Sequence, residues 1–562
     1  MSLLRSTLLA LVFFASAILF ASSDAYAASV VSVTSSTPDG SYNAGNSITV
    51  HVSFDEVVTV DTSGGSPTLT LETGSTDRSA TYSSGSGSTS LTFSYTVQSG
   101  DTSAHLTYTS TSALASNGAI IQNNALVDAN LSLPGPLAAG SLGANSAIVI
   151  DTTAPQATIS SMAPNPTNTS PFVVTFSFTE AVTGFTLSDI VVTNGAASTL
   201  SGSGSSYTAN ITPSSNGTVR VDLPASRVTD QAGNGNTAAS QLSRTYDSTA
   251  PTISGVTSST SNGSYRAGQS IVVLVNFSES VIVTGAPRLT LETGAADAVL
   301  TYSGTTGSPI AAMSFTYVVQ AGHTSNDLDY VSTSALTLNG GSILDSAGNP
   351  ATLTLVATGT AGSLGANSNL VIDTTAPNVS SVTSSTANGT YVAGEIIAIQ
   401  IAFSEPVTVT GTPRLTLETG ANDAVVSYSG ATGTPLSTLT FTYTVASGHQ
   451  SADLEYQSTS ALALNGGTIL DAAGNATSLT LPALGSAQSL GGSKAIVIDA
   501  AAPTVTGVTS TTTNGTYGLG QVINVRVDFS ESVIVTGAPQ ITLETGSVDA
   551  TLTYAGPTGS LV

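Results

Sequence analysis

The stretch NGTYGLGQVINVRVDFSESVIVTGAPQITLETG (Asn514–Gly546) decides the fold. Within it Ile523, Val525, Val527 and Phe529 alternate with Asn524, Arg526 and Asp528. Apolar and polar side chains therefore fall on opposite faces of an extended strand, one face buried and the other wet. The block returns as NGSYRAGQSIVVLVNFSESVIVTGAPRLTLETG (Asn262–Gly294) and as NGTYVAGEIIAIQIAFSEPVTVTGTPRLTLETG (Asn388–Gly420). A looser copy, DGSYNAGNSITVHVSFDEVVTVDTSGGSPTLTLETG, covers Asp39–Gly74.

Outward from these blocks the chain is punctuated by a second repeated motif. VIDTTAP stands at Val149–Pro155 and Val371–Pro377, TYDSTAP at Thr245–Pro251 and VIDAAAP at Val497–Pro503. Pro251 to Pro377 and Pro377 to Pro503 are each 126 residues, and Pro155 to Pro251 is 96. The expected organisation is a leader over 1–27, long modules over 28–155, 252–377 and 378–503, a short module over 156–251, and a truncated long module over 504–562. Units of this size close their own cores, unlike shorter solenoid repeats. In the third unit strands are expected over Arg288–Glu292, Ala298–Tyr302, Met313–Val319, Leu328–Ser332, Ala351–Val356 and Asn369–Asp373. Gly, Asn, Ser and Pro separate them, and no stretch beyond the leader shows a helical period, so the class is all-β, an antiparallel sandwich.

The leader reads as a Sec-type signal peptide: Arg5 gives the positive start, Leu8–Ala21 the apolar run, and Ala25-Tyr26-Ala27 the small-x-small cleavage site. The mature chain is expected to begin near Ala28, an uncleaved N-terminal anchor being the alternative, and no second transmembrane segment follows. There is no cysteine, so export brings no disulfide support. Only 8% of residues are charged, and 34 acids stand against 10 bases, for a net charge of −24. That balance excludes nucleic acid and anionic membrane surfaces as partners and favours cations. Disorder is excluded by the period-2 apolar runs in a chain that is 40% hydrophobic.

The F-S-E-x-V strand, the D-x-A-G-N loop and the closing D-T-T-A-P resemble bacterial Ig-like repeat domains of large exported surface proteins and adhesins. The resemblance runs over Val30–Val562 and takes two Ig-like subtypes. It implies tandem Ig-like β-sandwich modules in a row, a stalk or adhesive role at the cell surface, and bound calcium. Many giant adhesins of this kind lack an N-terminal signal; this chain carries one, which implies Sec export, with outer-membrane attachment if a C-terminal anchor exists.

Three acidic positions recur in the modules. The first follows the apolar strand: Glu56, Glu180, Glu279, Glu405 and Glu531. The second is the loop acid with its Asn: Asp230 and Asn234, Asp345 and Asn349, Asp471 and Asn475. The third is the joint acid: Asp151, Asp247, Asp373 and Asp499. Loops of such a sandwich cluster at its ends, so a loop acid and a joint acid are expected to meet at one pole. Closure of all three acids around one ion is the secondary expectation. Calcium takes six to eight oxygens from carboxylates, amides, carbonyls and water, and this set supplies them. The competing reading is turn chemistry: an Asx-turn at the loop, a bulge at the strand Glu, and a joint Asp that accepts backbone N–H groups. The first module departs from the pattern, with Asn123 at the loop-acid position, Leu126-Val127 in place of Gly-Asn, and Asp128 nearby. The L-E-T-G acids Glu72, Glu292, Glu418 and Glu544 read as strand ends with a Thr-Gly turn, a second cation site being the alternative.

Enzyme chemistry is not expected. His323 and His449 hold equivalent positions in sister repeats, whereas a catalytic histidine is singular and accompanied by a nucleophile. Two functional classes follow: an adhesin that meets a surface, a glycan, a protein ligand or another copy of itself, and a passive spacer for a C-terminal effector, anchor or enzyme. The fifth module stops at GPTGSLV where the fourth continues GATGTPLSTLTFTYTV, so the sequence is expected to be a fragment.

Overall fold

The computed structural model describes residues 26–559 and Val562. The expected leader, apart from Tyr26 and Ala27, lies outside the described residues. The protein is all-β, built from tandem Ig-like sandwiches of mainly antiparallel strands. It divides into two compact units. Among the described residues, one runs through Ala250 and includes Ser346–Asn349, and the other holds Pro251–Asp345 and the chain from Pro350 onward.

The first unit holds two separate hydrophobic cores. The first is organised by the strand Ser47–Asp61. Its Ile48, Val50, Val52 and Phe54 point inward and their neighbours outward, as the alternation requires. The strand pairs with Val30–Ser35 and Ser88–Thr96 over its first half and with Ile120–Asn123 over its second. Between the halves the ladder slips: Ser53 faces Ser90 and Val58 faces Ser88, five steps against two. The surplus residues form a bulge that bends the strand, and Glu56 rides on it. A short strand near the end of the module, Ile148–Asp151, runs parallel to Gly40–Tyr42, and a parallel bridge also joins Ser29 to Asn130.

The second core is filled by aromatics. Phe172–Phe178 pairs with Ala157–Ser160 and Ser206–Pro213. The facing sheet is Val191–Thr193, Gly217–Asp222 and Leu242–Tyr246. Phe185 meets Phe176, Phe178 and Tyr207 edge-on, with ring centroids 5.1–5.7 Å apart. Such contacts contribute about 0.5–1.5 kcal/mol each beyond area burial. They help to stabilise a short module that has no disulfide.

The second unit repeats the long plan twice. Ser270–Thr284 and Ile396–Thr410 carry the same inward alternation and the same slip. Residues 504–559 form two pairs of strands, Val505–Ser510 with Val525–Phe529 and Gln540–Leu543 with Ala550–Thr553. Here Ile523 lies outside the strand, and it and Phe529 are exposed, because no third strand covers them among the described residues.

The third-unit strands appear at Arg288–Leu291, Ala298–Thr301, Pro309–Val318 and Leu370–Asp373. Leu328–Ser332 and Ala351–Val356 form no strand and contribute single bridges, at Tyr330 and Thr352. Leu328 and Tyr330 are nonetheless buried, which explains their strand-like pattern. One-turn helices at Leu142–Asn145, Leu364–Asn367 and Leu490–Ser493 were not expected. Each is started by a Ser side chain that accepts a backbone N–H. Four residues are too few to display a helical period.

The loop-acid turn needs a left-handed residue, which is Gly233 or Gly474 in other modules and Leu126 in the first, at φ 61°. Leu126 is exposed, so its side chain gains no burial to offset the steric cost of that conformation. Leu126→Gly should raise the stability of the first module by about 0.5–1 kcal/mol, net of the entropy glycine adds to the unfolded chain. A thermal melt resolved by module checks this.

Candidate metal centres

The bulge, the loop and the joint bring their acids together. In the first unit carboxylate oxygens of Asp151, Glu180 and Asp230 lie within 4.8 Å of one another. In the second unit Asp373, Glu405 and Asp471 do the same. Each set draws the joint acid from the end of one sandwich and the other two from the next. The three-acid convergence, the secondary expectation from sequence, is therefore the observed geometry at both places.

Turn chemistry is present as well and serves the same arrangement. Asp151 Oδ1 accepts the Thr153 N–H at 2.9 Å, and Asp373 Oδ1 accepts the Thr375 N–H at 3.0 Å. Asp230 is buried; its Oδ1 accepts the Asn234 N–H and its Oδ2 accepts Asn234 Nδ2, both at 2.8 Å. The Asn234 amide also donates to the Asp151 carbonyl at 2.8 Å. Asp471, Asn475 and Asp373 reproduce these bonds at 2.8, 2.8 and 2.9 Å. The asparagine thus spends both amide hydrogens on clamping the joint strand to the loop. It orients the carboxylates through nitrogen, whereas the sequence reading offered it as an oxygen ligand.

The remaining candidates are placed as follows. Asp247 is half-buried and its Oδ1 accepts Asn216 Nδ2 and the Thr249 N–H, both at 3.0 Å. Glu279 sits on the bulge of Ser270–Thr284, half-buried, and Asp345 is buried in its loop. Asn349, buried, donates Nδ2 to the Asp247 carbonyl at 2.9 Å. Asp499 ends Ile496–Asp499, and Glu531 follows Val525–Phe529; neither joins a three-acid group among the described residues. Glu56 is exposed on its bulge. The L-E-T-G acids are turn residues, each accepting the N–H two positions on, as Glu292 does from Gly294 at 3.1 Å. His323 and His449 bond through Nδ1 to Tyr317 and Tyr443, at 2.8 and 2.7 Å.

Burial pushes the carboxyls of Glu180 and Glu405 up from their ordinary value, and the two neighbouring aspartates in each set push them further. Two ionised carboxylates this close repel by about 1 kcal/mol in water-like surroundings and by about 3 kcal/mol where partly desolvated. A cation among them reverses the sign. With chelator present, raising pH ionises these glutamates in the unfolded chain before the folded one. Their contribution to stability is therefore complete below the ordinary carboxylate pKa and lost as pH rises through the elevated one. Melting in chelator should show this fall, and saturating divalent cation should flatten it.

No curated protein sequence matches the chain. Among solved structures the chain is similar to invasin, a bacterial integrin-binding protein, at 9% identity, over 74% of this chain and 79% of that one, with a TM-score of 0.24. It is also similar to the I9–I11 tandem of titin, at 8% identity, over 61% and 97%, with a TM-score of 0.21. Likenesses this low carry no argument about function. Residues 151–246, from the joint acid Asp151 through the second core, match the family model of the bacterial Ig-like domain.

Proposed function

We propose that the chain is an exported, repetitive surface protein that works as an adhesin or adhesive stalk, with Ca²⁺ closing and stiffening its joints. Its modules are those bounded at 28–155, 156–251, 252–377, 378–503 and 504–562. The observation that carries the cation reading is the convergence of three carboxylates at the Asp151 and Asp373 joints. All the donors are hard oxygens, from two half-buried acids and one buried acid in each set, and Ca²⁺ completes such a set with carbonyls and water in a looser geometry than the strict octahedron of Mg²⁺. The surface role is supported by the bacterial Ig-like match, the repeated plan and the leader-like N-terminus.

Extracellular calcium modules bind with Kd on the order of 10⁻⁴–10⁻³ M. At ~10 mM Ca²⁺ each occupied site then adds about 1.4–2.7 kcal/mol. The full chain should melt higher in Ca²⁺ than in chelator. Glu180→Gln and Glu405→Gln separate this from turn chemistry. Each should raise the melting temperature slightly in chelator, by relieving repulsion, and shrink the Ca²⁺ increment. Identical wild-type melting with and without Ca²⁺ sinks the cation reading. Binding of the labelled chain to cells tests the adhesive role; a chain that binds no surface is a spacer.

A further inference from the structure

The first module has an amide where its sister module in the second unit has a buried acid. Asn123 stands at the position of Asp471 and is only 3% exposed. Its Oδ1 accepts the N–H groups of Ala125 and Val127 at 3.0 and 3.1 Å, as Asp471 Oδ1 accepts Asn475 N–H at 2.8 Å. The loop is therefore folded alike in both.

The difference lies in the second terminal atom. Asn123 Nδ2 donates to Glu56 Oε2 at 3.1 Å and to the Tyr26 carbonyl at 2.8 Å. In the sister module the same atom position is Asp471 Oδ2, a carboxyl oxygen, and a separate residue, Asn475, grips the carbonyl of the incoming strand at 2.9 Å. One amide in the first module performs both tasks, meeting the bulge glutamate with a donor and holding the segment that enters the sandwich. The other nearby acids are engaged elsewhere. Asp55 Oδ1 accepts the Ser29 N–H at 2.7 Å, and Asp128 Oδ1 accepts Gln122 Nε2 at 2.9 Å.

We propose that Asn123 takes the place of a cation at the first module, fixing its pole through Glu56 so that this module closes without metal. The contrast with the other modules rests on the cation reading above; the amide's role does not. The Glu56 contact is independent of processing, whereas the Tyr26 contact requires residue 26 to be retained.

The test is hydrogen exchange on the full 562-residue chain with its N-terminus intact, in Ca²⁺ and in chelator. Wild-type peptides covering 26–35 and 118–130 should exchange equally in both, while those covering 227–237 and 468–478 slow in Ca²⁺. Asn123→Asp keeps the Oδ1 acceptor and the loop but removes both donors and adds a charge beside Glu56. It should accelerate exchange over 26–35 in chelator several-fold and leave 468–478 unchanged. Asn123→Ala removes the donors without adding charge but also takes away the Oδ1 acceptor of the Ala125 and Val127 N–H groups, so it should accelerate exchange over 118–130 as well as over 26–35. Unchanged exchange in both variants overturns the proposal, and so does a first-module response to Ca²⁺ as large as that at 468–478 in the wild type. If 227–237 and 468–478 also ignore Ca²⁺, the cation reading falls, and the two variants alone decide the role of Asn123.

Discussion

Carboxylates that share a small volume must be neutralised, protonated or separated, and the protein meets this problem at the joints that end on Asp151 and Asp373. The backbone leaves little choice about where the problem arises. A long strand buries one face, bulges, and changes partner, and the bulge sends a glutamate toward the pole. A tight loop with a left-handed glycine presents an aspartate to the same place. The strand that leaves the preceding sandwich ends on a third acid. Each piece has a local reason to exist, and the crowding of charge follows from their combination. Hydrogen bonds from Asn234 and Asn475 hold the crowd in place by joining loop acid to joint carbonyl.

Much of this was legible in the chain. The alternation of Ile397, Ile399, Ile401 and Phe403 gives a strand with one buried face, and that is how they sit. The acid after each such strand marks the bulge, since ladder slip and motif coincide. Which acids share a pole was harder to read. Glu405 and Asp471 belong to different elements of one sandwich, and Asp373 to the end of another. Sequence gives their recurrence but not the pole to which each connection returns. The one-turn helices left no period to detect. The role of Asn123 was half legible: alignment shows an acid lost, while only the side-chain geometry shows that its nitrogen replaces the missing function.

The modules are variations on one backbone rather than copies. Asp101 in the first module is buried, which by itself would raise its pKa. Hydrogen bonds from Tyr95, Arg78 and the Gln98 N–H outweigh this and hold it below the ordinary value. In the two sister modules the same corner is a Tyr–His pair, with Tyr317 and Tyr443 pushed up to about 12 by burial. Where Arg78 covers that corner in the first module, Ala298 and Ala424 line open grooves of about 320 and 290 Å³. The fold tolerates either solution because each satisfies the buried tyrosine hydroxyl, and a satisfied polar group is what the core demands.

The parallel ladder between Gly40–Tyr42 and Ile148–Asp151 bears on how a long module answers force. It is repeated between Gly263–Tyr265 and Leu370–Asp373 and between Gly389–Tyr391 and Ile496–Asp499. Tension enters such a module from its first residues and leaves through its last strand. Two parallel strands drawn from opposite ends slide along each other, so their hydrogen bonds share the load together instead of parting one after another. A sandwich closed in this way is built like a lap joint, its overlap set in shear when the two strands are drawn apart.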